Sequence, residues 1–509
     1  MSLVGASKSD KMKVLSTFLI ICCLLGISKS QFNPNYVDNR TVMVQLFDWT
    51  FNDIADECVN FLGPYGFGGV QVSPITECWI SEQGFWYERY SVISYKIFTR
   101  SGTEEEFARM VKVCQEQGVR IYVNVVFNHM TANLGPEIYG YGGSVAYPPD
   151  YYYPAVPYNK SHFHPECDIT NFQNASEVRN CQLYTLRDLN QTIPYVREKI
   201  IGLLDHLIDL GVAGFRIDAA KHMDPSDLGY IYSHTKNLNP LFGFKHTDTA
   251  LFAQEVIDYG FEPITASEYS PIGVVTEFKA CYFLGVAFRG KLKLAVLKTW
   301  GPSFSQLSML PSNRAFVFVD NHDTERQGGP DLISYKDGKI YIMAVIFNLA
   351  HIYGTPRIMS SYAFDNYDQG PPHDENNNII GPGPFTNGET TCTNDWICQH
   401  RWRPIRNMVQ FRNVVKEEPL TLWYDNGGNQ IAFSRGGRGF VAFNNEDFAF
   451  SSIVKTSLPT GIYCDVISGE KINGICTGKI IAVMGGEVTV NIPANDEFGT
   501  IAIHTNSKL

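Results

Sequence analysis

The chain of 509 residues is 44% hydrophobic and 18% charged, a balance that excludes a disordered or fibrous polypeptide and provides apolar mass for about three domains. Its 52 acidic against 41 basic residues leave a formal net charge of −11, which argues against nucleic acid or an anionic membrane as partner and leaves a neutral polymer acceptable.

At the N-terminus, Lys8, Lys11 and Lys13 precede an apolar run over 14–27, and Ser28-Lys-Ser30 offers small residues for cleavage, so residues 1–30 read as a secretory signal. The run is too short for a membrane span. Of the twelve cysteines, Cys22 and Cys23 fall in that segment; secretion makes disulfides the expected state of the remaining ten. Asn39, Asn159, Asn174 and Asn190 head glycosylation sequons.

Val42–Phe47 reads as a first buried strand and Gly69–Ser73 as a second, with Ile54, Cys58, Phe61 and Leu62 at helical spacing between them. Val119–Phe127 is the third. From 130 to 187 the chain is rich in Gly, Pro, Tyr and Asn without helical periodicity, which predicts a small inserted domain, placed at 128–189. Val212–Asp218 is the fourth strand, with Gly214, Arg216 and Asp218 on one face and Phe215 and Ile217 on the other. A fifth ends in Ala253-Gln-Glu255-Val-Ile-Asp258, a sixth is expected near Phe278 to Leu284, a seventh ends in Phe318-Val-Asp320-Asn-His-Asp323, and Pro356–Ser361 is the eighth. Near-continuous apolar strands alternating with helices predict a parallel (β/α)8 barrel of the α/β class, spanning 31–127 and 190–418. Alternating runs after 419, such as Gln430-Ile-Ala-Phe and Val488-Thr-Val-Asn-Ile, predict a C-terminal antiparallel β-sandwich over 419–509.

A charged pair on one face of an apolar strand is expensive to bury unless it is hydrogen-bonded or held for function. Taken alone, Arg216 and Asp218 would serve equally well as an ion pair closing a core. Three apolar runs, however, each end in a carboxylate, and barrel strand ends converge on one mouth, where Asp218, Glu255 and Asp323 can meet.

These runs, with Asn124-Val-Val-Phe-Asn128-His129, resemble the signature segments of the α-amylase clan of glycoside hydrolases, and Gly-Phe-Arg-Ile-Asp-Ala-Ala-Lys-His resembles its animal-type, chloride-dependent members. The likeness runs from Val42 to the C-terminus. It implies Asp218 as nucleophile, Glu255 as general acid and base, and Asp323 as transition-state stabiliser in a retaining mechanism. It also implies substrate contacts from Trp86, Tyr87, Tyr90, His129, Lys221, His222 and His322. Ca2+ would be held by Asn128, Asp188 and the carbonyls of Arg179 and His222, and chloride by Arg216, Asn321 and Arg357. Chloride there would offset arginine charge that otherwise lowers the pKa of Glu255.

The same resemblance pairs Cys58 with Cys114, Cys167 with Cys181, Cys392 with Cys398 and Cys464 with Cys476. Phe98 stands where a fifth bridge would have a cysteine, and Cys78 and Cys281 are left as free thiols or an additional pair. Asn124 replaces the aspartate usual in the third-strand segment, and the loop after Asp323 is short. The function implied is a secreted, monomeric, endo-acting α-1,4-glucan hydrolase acting on starch, glycogen and maltooligosaccharides. A non-enzymatic glucan-binding relative and an exo-acting α-glucosidase stay open at this point.

Overall fold

The computed structural model describes residues 31–383 and 391–509; the expected signal segment lies outside them. Eight parallel strands close into a barrel: β1 (Met43–Leu46), β2 (Gly69–Val72), β3 (Arg120–Val125), β4 (Gly214–Ile217), β5 (Leu251–Gln254), β6 (Val274–Thr276), β7 (Ala315–Val317) and β8 (Thr355–Ser360). Each pairs with its sequence neighbour, and β1 pairs with β8 to complete the ring. No barrel edge is left to solvent.

The sixth strand differs from the expectation. Phe278–Phe288 is a buried helix, and β6 is the three-residue run before it. In Phe-Lys-Ala-Cys-Tyr-Phe-Leu-Gly-Val-Ala-Phe nearly every position is apolar, so periodicity cannot separate a buried strand from a helix covered on several sides. Gly285 shows the close packing: a Cβ there would meet the Asp331 carbonyl oxygen at 1.9 Å.

The helix Phe51–Glu57, continued by a π-helical turn to Leu62, buries Ile54, Cys58, Phe61 and Leu62. Against it lies Glu104–Glu116, started by a capping box in which Glu106 N–H donates to Thr103 Oγ1 (3.3 Å) and Thr103 N–H to Glu106 Oε2 (2.9 Å). Cys58 and Cys114 join the two helices across 56 residues. Closing a loop of that length restricts the unfolded chain by about 4 kcal/mol. A Cys58→Ala/Cys114→Ala double variant is therefore expected to unfold at a clearly lower urea midpoint, and an unchanged midpoint would deny the bridge a stabilising role.

Between β3 and the helix Pro194–Asp209 that precedes β4 the chain is irregular, with the hairpin Ile138–Tyr139/Val145–Ala146, the short helix Ala175–Asn180 and the Cys167–Cys181 bridge. After residue 419 two four-stranded antiparallel sheets follow, and Phe440, Ala442 and Ile503 of one share a core with Phe450, Val454 and Val488 of the other. Cys392–Cys398 and Cys464–Cys476 complete the four expected bridges. Cys78 and Cys281 are both buried and free, which settles that alternative. Among the described residues no helix is long and apolar enough to cross a membrane.

Candidate active site

The carboxylates stand at strand ends on one rim: Asp218 follows β4 directly, Glu255 follows β5 directly, and Asp323 lies in the turn after β7. Parallel register sets Asn124 of β3 and Ala253 of β5 on either side of Arg216. Arg216 is thereby placed to reach across strands. Its Nη1 donates to Asp218 Oδ1 (2.5 Å) and to Asn124 Oδ1 (3.0 Å), while its Nη2 donates to Glu255. One buried guanidinium thus joins the nucleophile and acid candidates.

Ala219, in the left-handed region at φ 50°, turns its N–H onto Glu255 Oε2 (2.8 Å). A non-glycine residue in that conformation is strained and persists only where the surroundings over-determine it. Sequence reasoning missed this donor, because an alanine carries no chemical signal of its own.

Burial pushes all three carboxyl groups up. Asp218 is raised by burial against the pull of Arg216; Glu255 is raised by burial and by Asp218, with Arg216 and the Ala219 N–H opposing. Asp323 is pushed up to about 7, by burial first and then by the charge of Glu255. Burial also lowers the histidines, His129 and His222 to about 4 and His322 well below its usual value, so all three are neutral near pH 7.

The neutral rings have assignable protons. With the Gln45 amide nitrogen at His322 Nδ1 (3.1 Å), the proton sits on Nε2, which donates to Tyr90 Oη (2.7 Å). Tyr90 Oη also accepts from Asn124 Nδ2 (3.0 Å), and the Tyr90 ring stacks on His322 at 5.5 Å. Asn124 therefore acts as acceptor for Arg216 and donor to Tyr90, a pair of roles that an ionised aspartate could not fill. Trp86 is walled in by Phe47, Tyr87, Tyr90, His322 and Tyr367 and only 5% exposed, so the accessible ring area belongs to the half-buried Tyr87. Lys221 donates to the Ile257 carbonyl (2.9 Å) and pairs with Glu262.

Two sets of residues were expected to hold ions. His129 Nε2 donates to the Tyr90 carbonyl (3.1 Å), which leaves Nδ1 to accept from Asn128 Nδ2 (3.1 Å); Asn128 Oδ1 is then buried with no hydrogen-bond partner. His129 and Asp188 bridge backbone to backbone, and His222 Nδ1 donates to the Val178 carbonyl (3.0 Å), so all four segments expected to bind calcium converge. Asp188, also bonded to His164 Nδ1 (2.7 Å), is pushed up to about 6 by burial. Among the described residues no group of three or more His, Cys, Asp or Glu side chains could hold a metal. An orphaned amide oxygen, one buried carboxylate and backbone carbonyls do fit a hard cation.

In the barrel interior, Arg357 Nη1 donates to Gln71 Oε1 (2.9 Å), while Nε and Nη2 are buried without hydrogen-bond partners. Burial and Arg216 lower its pKa to about 10. Two unsatisfied N–H groups on a buried cation fit a small anion. Asn321 Oδ1 caps the turn by accepting from the N–H groups of Asp323 (3.0 Å) and Thr324 (2.8 Å), and its Nδ2 lies 3.5 Å from Asp323 Oδ2.

Comparison with known proteins bears on the family. Residues 54–251 match the model of the α-amylase catalytic domain and 423–505 that of the α-amylase C-terminal all-beta domain. An α-amylase-related protein of Drosophila willistoni is 49% identical over 496 residues, covering 97% of this chain and 100% of its own length. Its counterpart in Drosophila simulans is 48% identical over 492 residues, covering 96% and 99%. The crystal structure of α-amylase I from the earthworm Eisenia fetida superposes with a TM-score of 0.87 at 38% identity, covering 92% of this chain and 98% of the other. A glutamate-to-glutamine mutant of that earthworm enzyme, in complex with maltohexaose, gives 0.84 at 39% identity with the same coverage. With both domain models matched and relatives aligned over nearly its whole length, this chain belongs to the α-amylase family.

Proposed function

We propose that the protein is a secreted endo-acting α-1,4-glucan hydrolase that cleaves starch and glycogen to maltooligosaccharides with retention of anomeric configuration. The observation that carries this reading is the joining of Asp218 and Glu255, from two different strands, through Arg216, with Asp323 on the same rim. A guanidinium that bonds two carboxyl groups through its two terminal nitrogens holds them near one another, which supports the spacing of about 5–5.5 Å of a retaining enzyme.

In the proposed reaction an oxygen of Asp218 attacks the anomeric carbon while Glu255 gives its proton to the departing glycosidic oxygen. Glu255 then takes a proton from water, whose oxygen displaces Asp218. Arg216 favours the ionised form of Asp218 against burial, and burial and the charge of Asp218 favour the protonated form of Glu255 against Arg216. Asp323 and Nε2 of the neutral His222 hold sugar hydroxyls, Tyr87 offers a stacking face, and His129 and His322, whose ring nitrogens bond protein groups, position Asn128 and Tyr90.

Asn128, Asp188 and the carbonyls of Arg179 and His222 would hold Ca2+, tying the inserted segment to the end of β3. Arg357, Arg216 and Asn321 would hold chloride, which supplies negative charge beside the arginines and so favours the protonated form of Glu255. The secretory reading of residues 1–30 and the four disulfides support an extracellular protein.

Product analysis from soluble starch tests the reading: a ladder of short maltooligosaccharides is expected from the start of the reaction, and release of glucose alone, or of nothing, rejects it. Chelation with EDTA is expected to lower the melting temperature. Exchanging chloride for a non-binding anion is expected to move the alkaline limb of the pH profile about one unit toward acid. An unchanged melting temperature removes the calcium assignment, and an unchanged profile removes the chloride assignment.

A further inference from the structure

Glu325 and Arg326 follow Asp323 closely in sequence, bury their side chains completely and take no part in the reaction as proposed. Arg326 Nη1 donates to Glu325 Oε1 (2.6 Å), which also accepts from Ser361 Oγ (2.7 Å). Burying two charges costs more than their attraction returns unless the remaining lone pairs and N–H groups find partners. Here they do not: Arg326 Nε and Nη2 and Glu325 Oε2 are buried without hydrogen-bond partners. Orphaned groups of this kind require a reason other than stability.

The reason lies in what the same guanidinium holds. Arg326 Nη1 also donates to the His322 carbonyl (3.1 Å). That carbonyl and the Asp323 N–H are the two ends of one planar peptide group, and the N–H end donates to Asn321 Oδ1 (3.0 Å). With both ends tied, the peptide plane cannot turn, and the direction in which the Asp323 side chain leaves the backbone is set. On the far side of the residue, the Asp323 carbonyl accepts from the N–H groups of Arg326 (3.1 Å) and Gln327 (2.8 Å).

The guanidinium is itself fixed from outside this turn. Its carbon lies 4.4 Å from the ring centroid of Phe364, 5.1 Å from those of Phe47 and Tyr362, and 5.3 Å from that of Trp86. These rings come from the end of β1, from the segment after β8 and from the turn around Trp86. A cation is attracted by each ring face, more strongly where water is excluded. Phe47 also stacks on the His322 ring at 4.9 Å and on the Tyr362 ring at 5.8 Å, so the cage and the turn carrying Asp323 share one aromatic wall.

We propose that Arg326, caged by four aromatic rings and paired with Glu325, is a positioning residue that orients Asp323 by locking the His322–Asp323 peptide plane. It touches no substrate and acts only through Asp323. The role rests on the reading of Asp323 as a sugar-binding group of a glucan hydrolase.

The test is a double-mutant cycle. The anchor is changed in two ways: Arg326→Lys keeps the charge but not the planar fork, and Arg326→Met with Glu325→Gln removes both charges together, so that neither is left buried alone. Each is placed in the parent and in the Asp323→Asn protein for kcat on soluble starch, and again with Glu255→Gln for Kd of maltohexaose. With Asp323 present, the anchor changes are expected to lower kcat at least about tenfold and to weaken Kd about fivefold, because a small misplacement of a reacting group costs rate steeply. With Asp323→Asn they are expected to change either quantity by less than about twofold, since their target is gone. Equal losses in both backgrounds make Arg326 merely structural and overturn the proposal. So do anchor variants within about twofold of the parent in both quantities, or a failure of both anchor variants to fold. If the parent hydrolyses nothing while the Kd cycle shows the coupling, only the hydrolase reading is wrong; if starch is hydrolysed and neither cycle shows it, only the positioning role is wrong. A parent that hydrolyses nothing and a Glu255→Gln protein that binds no maltohexaose reject both.

Discussion

Replacing Glu255 by glutamine is expected to lower kcat on soluble starch by about a thousandfold or more, with Kd for maltohexaose changed by less than about tenfold. Glutamine keeps the shape of glutamate and can still accept the Ala219 N–H (2.8 Å in the parent), but it has no proton to give the leaving oxygen. A thousandfold loss corresponds to about 4 kcal/mol of transition-state stabilisation, within the range of a positioned general acid. Binding should survive because the groups proposed to hold sugar hydroxyls and faces, Asp323, His222 and Tyr87, lie outside the substitution. Steady-state kinetics and calorimetric titration read the two quantities separately. A variant retaining more than a tenth of parental kcat would remove Glu255 from the acid role, and equal collapse of binding and turnover would assign it a structural one.

Replacing Asp323 by asparagine is expected to raise thermal stability at pH 8, leave it unchanged near pH 4, and lower kcat by at least about a hundredfold. The folded-state pKa of Asp323 is about 7, raised above that of an unfolded aspartate by burial and by Glu255. A carboxyl group raised on folding contributes stability that is fully present below its unfolded value near 4 and is lost as pH rises toward 7. Above pH 7 the buried charge is a standing destabilisation that asparagine removes. The Asp323 side chain keeps 22% of its surface exposed, so the gain is discounted to about 1–3 kcal/mol, or a rise of about 1–3 °C in melting temperature. Differential scanning calorimetry at the two pH values measures it. Equal effects at pH 4 and pH 8, or a lower melting temperature at pH 8, would contradict the assigned ionisation.

Both results express one conflict. Asp218, Glu255 and Asp323 share a buried rim with two arginines, Arg216 satisfied by hydrogen bonds and Arg357 only in part. An arrangement able to separate a nucleophile from an acid is poorly optimised as a core, which is how catalytic sites commonly trade stability for chemistry.

The linear chain by itself determined that a parallel barrel would form and that Asp218, Glu255 and Asp323 would stand at strand ends, while the cysteine pairing came from the family resemblance. Apolar runs ending in carboxylates and the order of the segments are properties of consecutive residues, and local spacing preserves them. The position of β6 was not legible, because a run apolar at nearly every position has no period to read. The double role of Asn124, the Ala219 N–H aimed at Glu255 and the freedom of both Cys78 and Cys281 were decided only by the tertiary structure. Each depends on which distant segments share a register or a rim. A hydrogen bond or an unbridged sulfur is set by distances of a few ångströms in space, and those distances are closed by packing across the barrel.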